Sequence, residues 1–330
     1  MKIRKVVIPA TVVVIIISLF VVIFMTPVPI SLLIRKLFEN PELAPPQGYA
    51  DMDSRVTVHQ DITYESKYKS NALDIYLPKD VDELVPVVLW IHGGGYVGGD
   101  KRDVRYYAVS LASEGYAVIS MNYERAPEAR YPTPVMQIEE VFSWISECSA
   151  EYLLDSSRIV LAGDSAGAHS AATFAAIQTN PDYENEIGIK ASVKDGCIKG
   201  LLLYCAPYDV VMVNEIGGAF GFLLNRAGWA YFGTRDWTDT FAKLATVGNH
   251  VTRDFPPTFI TDGNTASFEK QGIAFADMLD FAGVENMRYF IPHEPEKIIT
   301  GHEYQFLMDT DAGAECYRLT LAFLKEHMNR

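Results

Sequence analysis

The stretch RIVLAGDSAGAHSAA, residues 158–172, sets an apolar run directly against a run of small residues. Arg158 to Ala162 has the continuous apolar character of a strand buried on both faces. Ala166 onward, with Ala168, Ala171 and Ala172, reads as a helix. At the junction one serine, Ser165, stands between Gly163 and Gly167. A side chain carried on so tight a strand-to-helix turn points away from its own backbone, into the crevice at the carboxyl ends of the strands. The crowding around it admits only glycine or alanine, a demand that Gly163, Ala166 and Gly167 meet. This is the G-x-S-x-G nucleophile elbow. The helix behind it adds partial positive charge where an oxyanion would form.

A second motif lies upstream. Val87 to Ile91 is another buried-strand run, and it leads into His92-Gly93-Gly94-Gly95-Tyr96. Consecutive glycines let backbone N–H groups turn toward a ligand with no side chain in the way. Together with the N–H of Ala166 they suit an oxyanion hole. A phosphate loop is the competing use, but the chain has neither G-x-x-x-x-G-K-[ST] nor G-x-G-x-x-G here.

The same alternation extends outward. Val56–Thr63 and Ala72–Leu77 read as an antiparallel opening pair. Strand-like runs follow at Ala117–Met121, Lys199–Cys205, Thr258–Thr261 and Met287–Ile291. Helical stretches fill the gaps at Val104–Glu114, Pro134–Cys148, Ala166–Gln178, Phe268–Ala282 and Ala312–Met328. The pattern predicts an α/β fold, a mostly parallel sheet covered on both faces. Val210–Phe255 is too long and too aromatic for a connection, and reads as a helical cap insertion at about 210–255.

His92-Gly93-Gly94-Gly95 and Gly163-Asp164-Ser165-Ala166-Gly167, in this order, resemble the H-G-G-G and G-D-S-A-G motifs of the hormone-sensitive-lipase-like esterases and lipases, a branch of the α/β-hydrolases. The resemblance runs from about Ala72 to the C-terminus. It implies an eight-stranded hydrolase fold, a Ser-His-acid triad and hydrolysis of carboxylic esters without cofactor or metal. It implies Ser165 as nucleophile, Gly94, Gly95 and Ala166 as oxyanion donors, and His92 as a residue that orients the glycine loop.

The base must come from a late loop. After the elbow stand His169, His250, His293, His302 and His327. His169 lies on the elbow helix, His250 in the cap and His327 in the last helix. His293 and His302 both follow the final strand. His302, in Gly301-His302-Glu303-Tyr304-Gln305-Phe306, best matches the family's loop.

The acid breaks the pattern. The family's aspartate follows a Pro-Pro-apolar run and a glycine, here Pro256-Pro257 through Gly263, and its position falls at or near Ala266. The substitutes are Asp262 at the strand end, then Asp209 after the preceding strand and Glu269 at the next helix start. A dyad helped by Asn264 or a backbone carbonyl is a further reading.

The N-terminal region lies outside the resemblance. Residues 6–34 carry no charge, and Val6–Met25 has the length of a bilayer span. Lys2, Arg4 and Lys5 precede it, and Pro27 and Pro29 close it. Residues 1–40 thus read as an uncleaved single-pass anchor, 41–55 as a linker and 56–330 as the catalytic domain. The positive-inside rule favours an extracytoplasmic catalytic domain, a vote weakened by Arg35 and Lys36. With 28 Lys and Arg against 42 Asp and Glu, the net charge of −14 argues against nucleic acid as a partner. Cys148, Cys197, Cys205 and Cys316 form no CxxC pair and give no metal signal. The expected partners are a small-molecule ester and, through the N-terminal helix, a membrane. The competing function classes are a catalytically silent binding module, favoured by the missing aspartate, and a serine peptidase or amidase.

Overall fold

The computed structural model describes residues 10–39, 44–214, 216–238, 240–292 and 299–328. The strands are β1 (Val56–Thr63), β2 (Ala72–Pro78), β3 (Val85–Ile91), β4 (Ala117–Met121), β5 (Leu154–Asp164), β6 (Ile198–Tyr204), β7 (Thr258–Asp262) and β8 (Asn286–Phe290). They form one eight-stranded sheet in the order β1-β2-β4-β3-β5-β6-β7-β8. Strand β2 is antiparallel to β1 and β4, and the pairs from β4-β3 onward are parallel. The mostly parallel sheet expected from the alternation is therefore present. Strand β5 starts earlier than its apolar run, because Leu154 and Asp155 pair with Val85 and Pro86 of β3.

The helices are α1 (Ala10–Met25), α2 (Val28–Phe38), α3 (Tyr49–Ser54), α4 (Arg105–Ser113), α5 (Thr133–Tyr152), α6 (Ala166–Thr179), α7 (Pro181–Ile187), α8 (Val210–Asn214), α9 (Gly218–Phe232), α10 (Thr240–Lys243), α11 (Glu269–Ala282) and α12 (Asp311–Met328). Alternate strand residues go to opposite faces. Leu89, Leu161 and Leu203 pack with Ile138 of α5, Phe174 of α6 and Phe275 of α11. Trp90, Val160 and Leu202 pack with Tyr107 of α4 and Phe323 of α12. That is why the central strands read as unbroken apolar runs: both faces are covered.

A third cluster joins the insertion to the site. Ala227, Tyr231 and Trp237 pack with Tyr96 and Val97 of the glycine loop, Ala166 of the elbow and Ile34 of α2. The ring of Tyr231 stacks on Tyr96, with centroids 3.9 Å apart and planes 3° apart.

The N-terminus departs from the single straight span expected over Val6–Met25. Residues 1–9 lie outside the described part, and α1 has 16 residues. Among the described residues no single helix is long and apolar enough to cross a membrane. The pair Thr11–Met25 and Val28–Phe38 passes together by length and composition, but it is bent by 75°. Pro27 explains the break, since it supplies no backbone N–H to continue α1, while Pro29 fits the first turn of α2. Helix α2 is built into the body. Ile34 is 5% exposed, and the Arg35 guanidinium donates to the carbonyls of Val97 and Ala126, both at 2.7 Å. It also pairs with both carboxylate oxygens of Glu128, at 2.9 and 2.6 Å. A charge that reads as a membrane flank is thus spent on a clasp inside the chain. Arg226 and Arg235 donate to the carbonyl of Phe24 at the end of α1. Of the stretch expected as linker, residues 44–55 are described in full and contain α3.

Candidate active site

Ser165 follows β5 and precedes α6 with φ 50° and ψ −119°. A non-glycine residue holds such a conformation only when its surroundings fix it. Here its N–H donates to the Tyr204 carbonyl of β6 at 2.7 Å. A Cβ on Gly163 would lie 2.6 Å from the Ala168 nitrogen, and one on Gly167 only 2.0 Å from the Ile91 oxygen. The ends of β3 and β5 and the start of α6 therefore interlock, and glycine at both positions is a steric requirement.

The Ser165 Oγ lies 2.9 Å from Nε2 of His302. His302 sits on the loop between β8 and α12, and that loop is laced to the one after β7. The Thr265 N–H donates to the Thr300 carbonyl at 3.0 Å, Asn264 N–H to Thr300 Oγ1 at 3.1 Å, and Thr300 N–H to Asn264 Oδ1 at 3.0 Å. Asn264 thus serves the loop that carries the imidazole. Burial lowers the His302 pKa to about 4, so at neutral pH the ring keeps a lone pair for the serine hydroxyl.

Asp262 ends β7 with no exposure, yet its carboxylate does not bond the imidazole directly. Ser267 stands between them. Its hydroxyl donates to Asp262 Oδ1 and lies 2.7 Å from His302 Nδ1. The Phe268 N–H also donates to Asp262 Oδ1, at 3.2 Å. Burial raises Asp262 to about 7, opposed by these hydrogen bonds. Sequence reasoning missed Ser267. The available signal was a hydroxyl residue directly after Ala266, the position where the family's carboxylate is lacking.

The other acid candidates have other places. Asp209 accepts the N–H groups of Val211 at 2.9 Å and Met212 at 3.2 Å, capping α8. Glu269 opens α11 and borders a cavity with Asn264 and Ser267. Among the histidines, His169 lies buried on α6 with Nε2 2.6 Å from the Ala245 carbonyl. The ring of His250 stacks on Tyr183 at 3.6 Å, and His327 lies buried on α12. His293 lies outside the described residues.

The glycine loop turns through Gly94 at φ 105° and Gly95 at φ 59°, both left-handed values. The Gly94 carbonyl accepts the N–H groups of Val97 at 3.2 Å and Gly98 at 2.9 Å. Asp164 of the elbow fixes this loop, accepting the Gly93 N–H at 2.7 Å and the Trp90 indole N–H at 2.8 Å. His92 Nδ1 lies 2.7 Å from the Gly93 carbonyl, and its ring stacks on Tyr123 at 4.4 Å. Ala166 opens α6, so its N–H has no acceptor within the helix. Glu303, next to His302, meets Asp164. Burial and the neighbouring Glu303 carboxylate push Asp164 well above the usual carboxylate range, and burial raises Glu303 to about 7 against its hydrogen bond with Asp164.

Two cavities border these groups. One, of about 30 Å³, is bordered by Ser165, Gly95 and Ala166 and walled by Phe232, Trp237 and Phe268. The other, of about 250 Å³, is bordered by His302, Gly94, Asp164, Glu303 and Phe38 of α2.

Residues 73–307 match the family described as BD-FAE. Esterase LipQ of Mycobacterium tuberculosis is 27% identical over 237 residues, which are 69% of this chain and 54% of that protein. The chain therefore spans about half the length of LipQ. Carboxylesterase NlhH of the same organism is 29% identical over 267 residues, covering 77% of this chain and 78% of that protein. The crystal structure of an inhibited esterase B from Lactobacillus rhamnosis has a TM-score of 0.71 at 22% identity, covering 86% of this chain and 89% of that one. The likeness establishes the α/β-hydrolase fold.

Proposed function

The chain belongs to the BD-FAE family, and from that premise we propose that it hydrolyses carboxylic esters through an acyl-enzyme on Ser165. The observation that carries this reading is the 2.9 Å contact between Ser165 Oγ and His302 Nε2 on a strained elbow beside the glycine loop. Nε2 takes the hydroxyl proton as Oγ attacks the ester carbonyl. The N–H groups of Gly94, Gly95 and Ala166 hold the oxyanion. The imidazolium then gives its proton to the departing alcohol. Nε2 next deprotonates a water that attacks the acyl group, and Ser165 regains its proton as the acid leaves. Asp262 supplies the carboxylate on the far side of His302. Turnover of p-nitrophenyl acetate, with one phosphonate bound per chain, tests the reading. A folded protein that does neither would be the silent binding module instead.

The alcohol must leave beside the imidazole that protonates it. That assigns the cavity at His302 to the leaving group and the cavity at Gly95 and Trp237 to the acyl chain. The acyl side is the smaller of the two and is walled by Phe232, Trp237 and Phe268, which suits a short chain. Trp237, 2% exposed, forms part of its wall. Trp237→Leu is expected to raise kcat/KM for the hexanoyl ester relative to the acetyl ester by about tenfold. An unchanged ratio would remove Trp237 from the acyl pocket.

We further propose that the N-terminal segment holds the enzyme at a bilayer, with the catalytic body on the side opposite Lys2, Arg4 and Lys5. Support comes from α1, whose Val14, Ile15, Ile17, Phe20 and Met25 are each more than half exposed. Full-length protein is expected in the detergent-extracted membrane fraction. Recovery in the salt-washed supernatant would overturn this part.

A further inference from the structure

Most triads place a carboxylate directly on the second imidazole nitrogen. Here that place is taken by a neutral hydroxyl, and the hydrogen-bond directions can be worked out. With Asp262 ionised, its carboxylate can only accept, so Ser267 Oγ–H donates to it. The remaining lone pairs of Ser267 Oγ then face His302 Nδ1 at 2.7 Å, so Nδ1–H donates to Ser267. Nε2 is left bare and accepts from the Ser165 hydroxyl at 2.9 Å. One polarity runs through all four residues. It selects the tautomer that a base toward Ser165 needs.

The seat around this chain is built from consecutive residues. Ala266 holds φ 50°, which turns the loop back so that Ser267 reaches Asp262. The Phe268 N–H shares Asp262 Oδ1, and the Phe268 ring meets the His302 ring edge-on, with centroids 5.5 Å apart and planes at 82°. The carboxylate is fully buried, and the Ser267 hydroxyl and the Phe268 N–H both occupy its Oδ1, so Ser267 stands between Asp262 and the imidazole.

We propose that Ser267 is a positioning residue that couples the Asp262 carboxylate to His302, so that the chain uses a Ser165–His302–Ser267–Asp262 relay in place of a direct triad. No proton leaves Ser267 during turnover. When His302 is protonated, its Nδ1–H stays on the Ser267 oxygen and the Ser267 hydroxyl stays on Asp262. The imidazolium charge is then stabilised through one polarised hydroxyl.

The inference rests on Ser165 and His302 acting as nucleophile and base. Steady-state kinetics with p-nitrophenyl acetate test it on Ser267→Ala, Asp262→Asn, the double variant, Ser267→Thr and Ser165→Ala. Ser267→Ala and Asp262→Asn are each expected to lower kcat by roughly 10²–10³-fold, with KM moving less than about threefold. The double variant should be no worse than about threefold below the weaker single variant, because the two residues act in series. Ser267→Thr, which keeps the hydroxyl, should return kcat to within about tenfold of the parent. Losses that multiply in the double variant, or a Ser267→Ala variant with parental kcat, would overturn the relay. If Ser267→Ala does not fold, Ser267→Cys replaces it: an impaired cysteine variant beside an active threonine one supports the relay, and equal activity overturns it. Parental turnover by Ser165→Ala would bring down the acyl-enzyme reading itself. Its loss there, with parental turnover by Ser267→Ala, removes the relay alone.

Discussion

Ser165→Ala lowers kcat for p-nitrophenyl acetate by about 10⁵–10⁶-fold and abolishes labelling by a fluorophosphonate. The expectation follows from the geometry. Without Oγ the imidazole has nothing to deprotonate but water, and no covalent intermediate forms. His302→Ala is expected to cost about as much, since a serine hydroxyl at its ordinary pKa is a poor nucleophile. The double variant should lose no more than either single one, because the two residues act as a unit. The oxyanion donors stay in place in all three, so some acceleration over water remains. The check is kcat on the folded variants, with labelling followed by intact mass. Stoichiometric labelling of Ser165→Ala would move the nucleophile elsewhere.

The second large effect needs only one added methyl group. Gly167→Ala would set a Cβ 2.0 Å from the Ile91 oxygen and 2.5 Å from the His92 oxygen. Both are backbone atoms at the end of β3, where the strand passes into the glycine loop. Neither can retreat alone, so α6 must lift away from the sheet. We expect a loss of about 3 kcal/mol or more in stability, typical of forced backbone displacement. In the protein that still folds, Ala166 and the glycine loop separate, and kcat should fall at least about 100-fold, as when an oxyanion donor is lost. Gly217→Ala is the control. Its Cβ would meet nothing within 4 Å, and it should stay within about 1 kcal/mol of the parent. Parental melting and turnover for Gly167→Ala would show that the elbow does not need glycine there.

What the sequence makes legible is what short-range sterics decide. The elbow can be read from five residues because its demand for small side chains falls on those same residues. The sheet can be read because strands covered on both faces must be apolar throughout. Ser165 and His302 come from distant segments, and the chain brings them to 2.9 Å. The acid side is harder to read, because its answer lies in the path of a loop. A pattern that looks for a carboxylate near position 266 finds Ala266. Nothing local says that Ser267 turns back onto Asp262. The same loop is laced by Asn264 to Thr300, 36 positions away. Arg35 is opaque for the same reason. Beside an apolar run it looks like a membrane flank, and its partners Val97, Ala126 and Glu128 are more than 60 positions away.

The clasp of Arg35 also bears on how the enzyme can be divided. Phe38 forms part of the wall of the larger cavity, four residues after Ile34 goes under the cap. A shortened chain that began after the first forty residues would lose that wall and leave Glu128 without its guanidinium. The cavity beside His302 would be more open to water on that side. The N-terminal helices and the wall of that cavity are one piece, and a cut between them trims the wall.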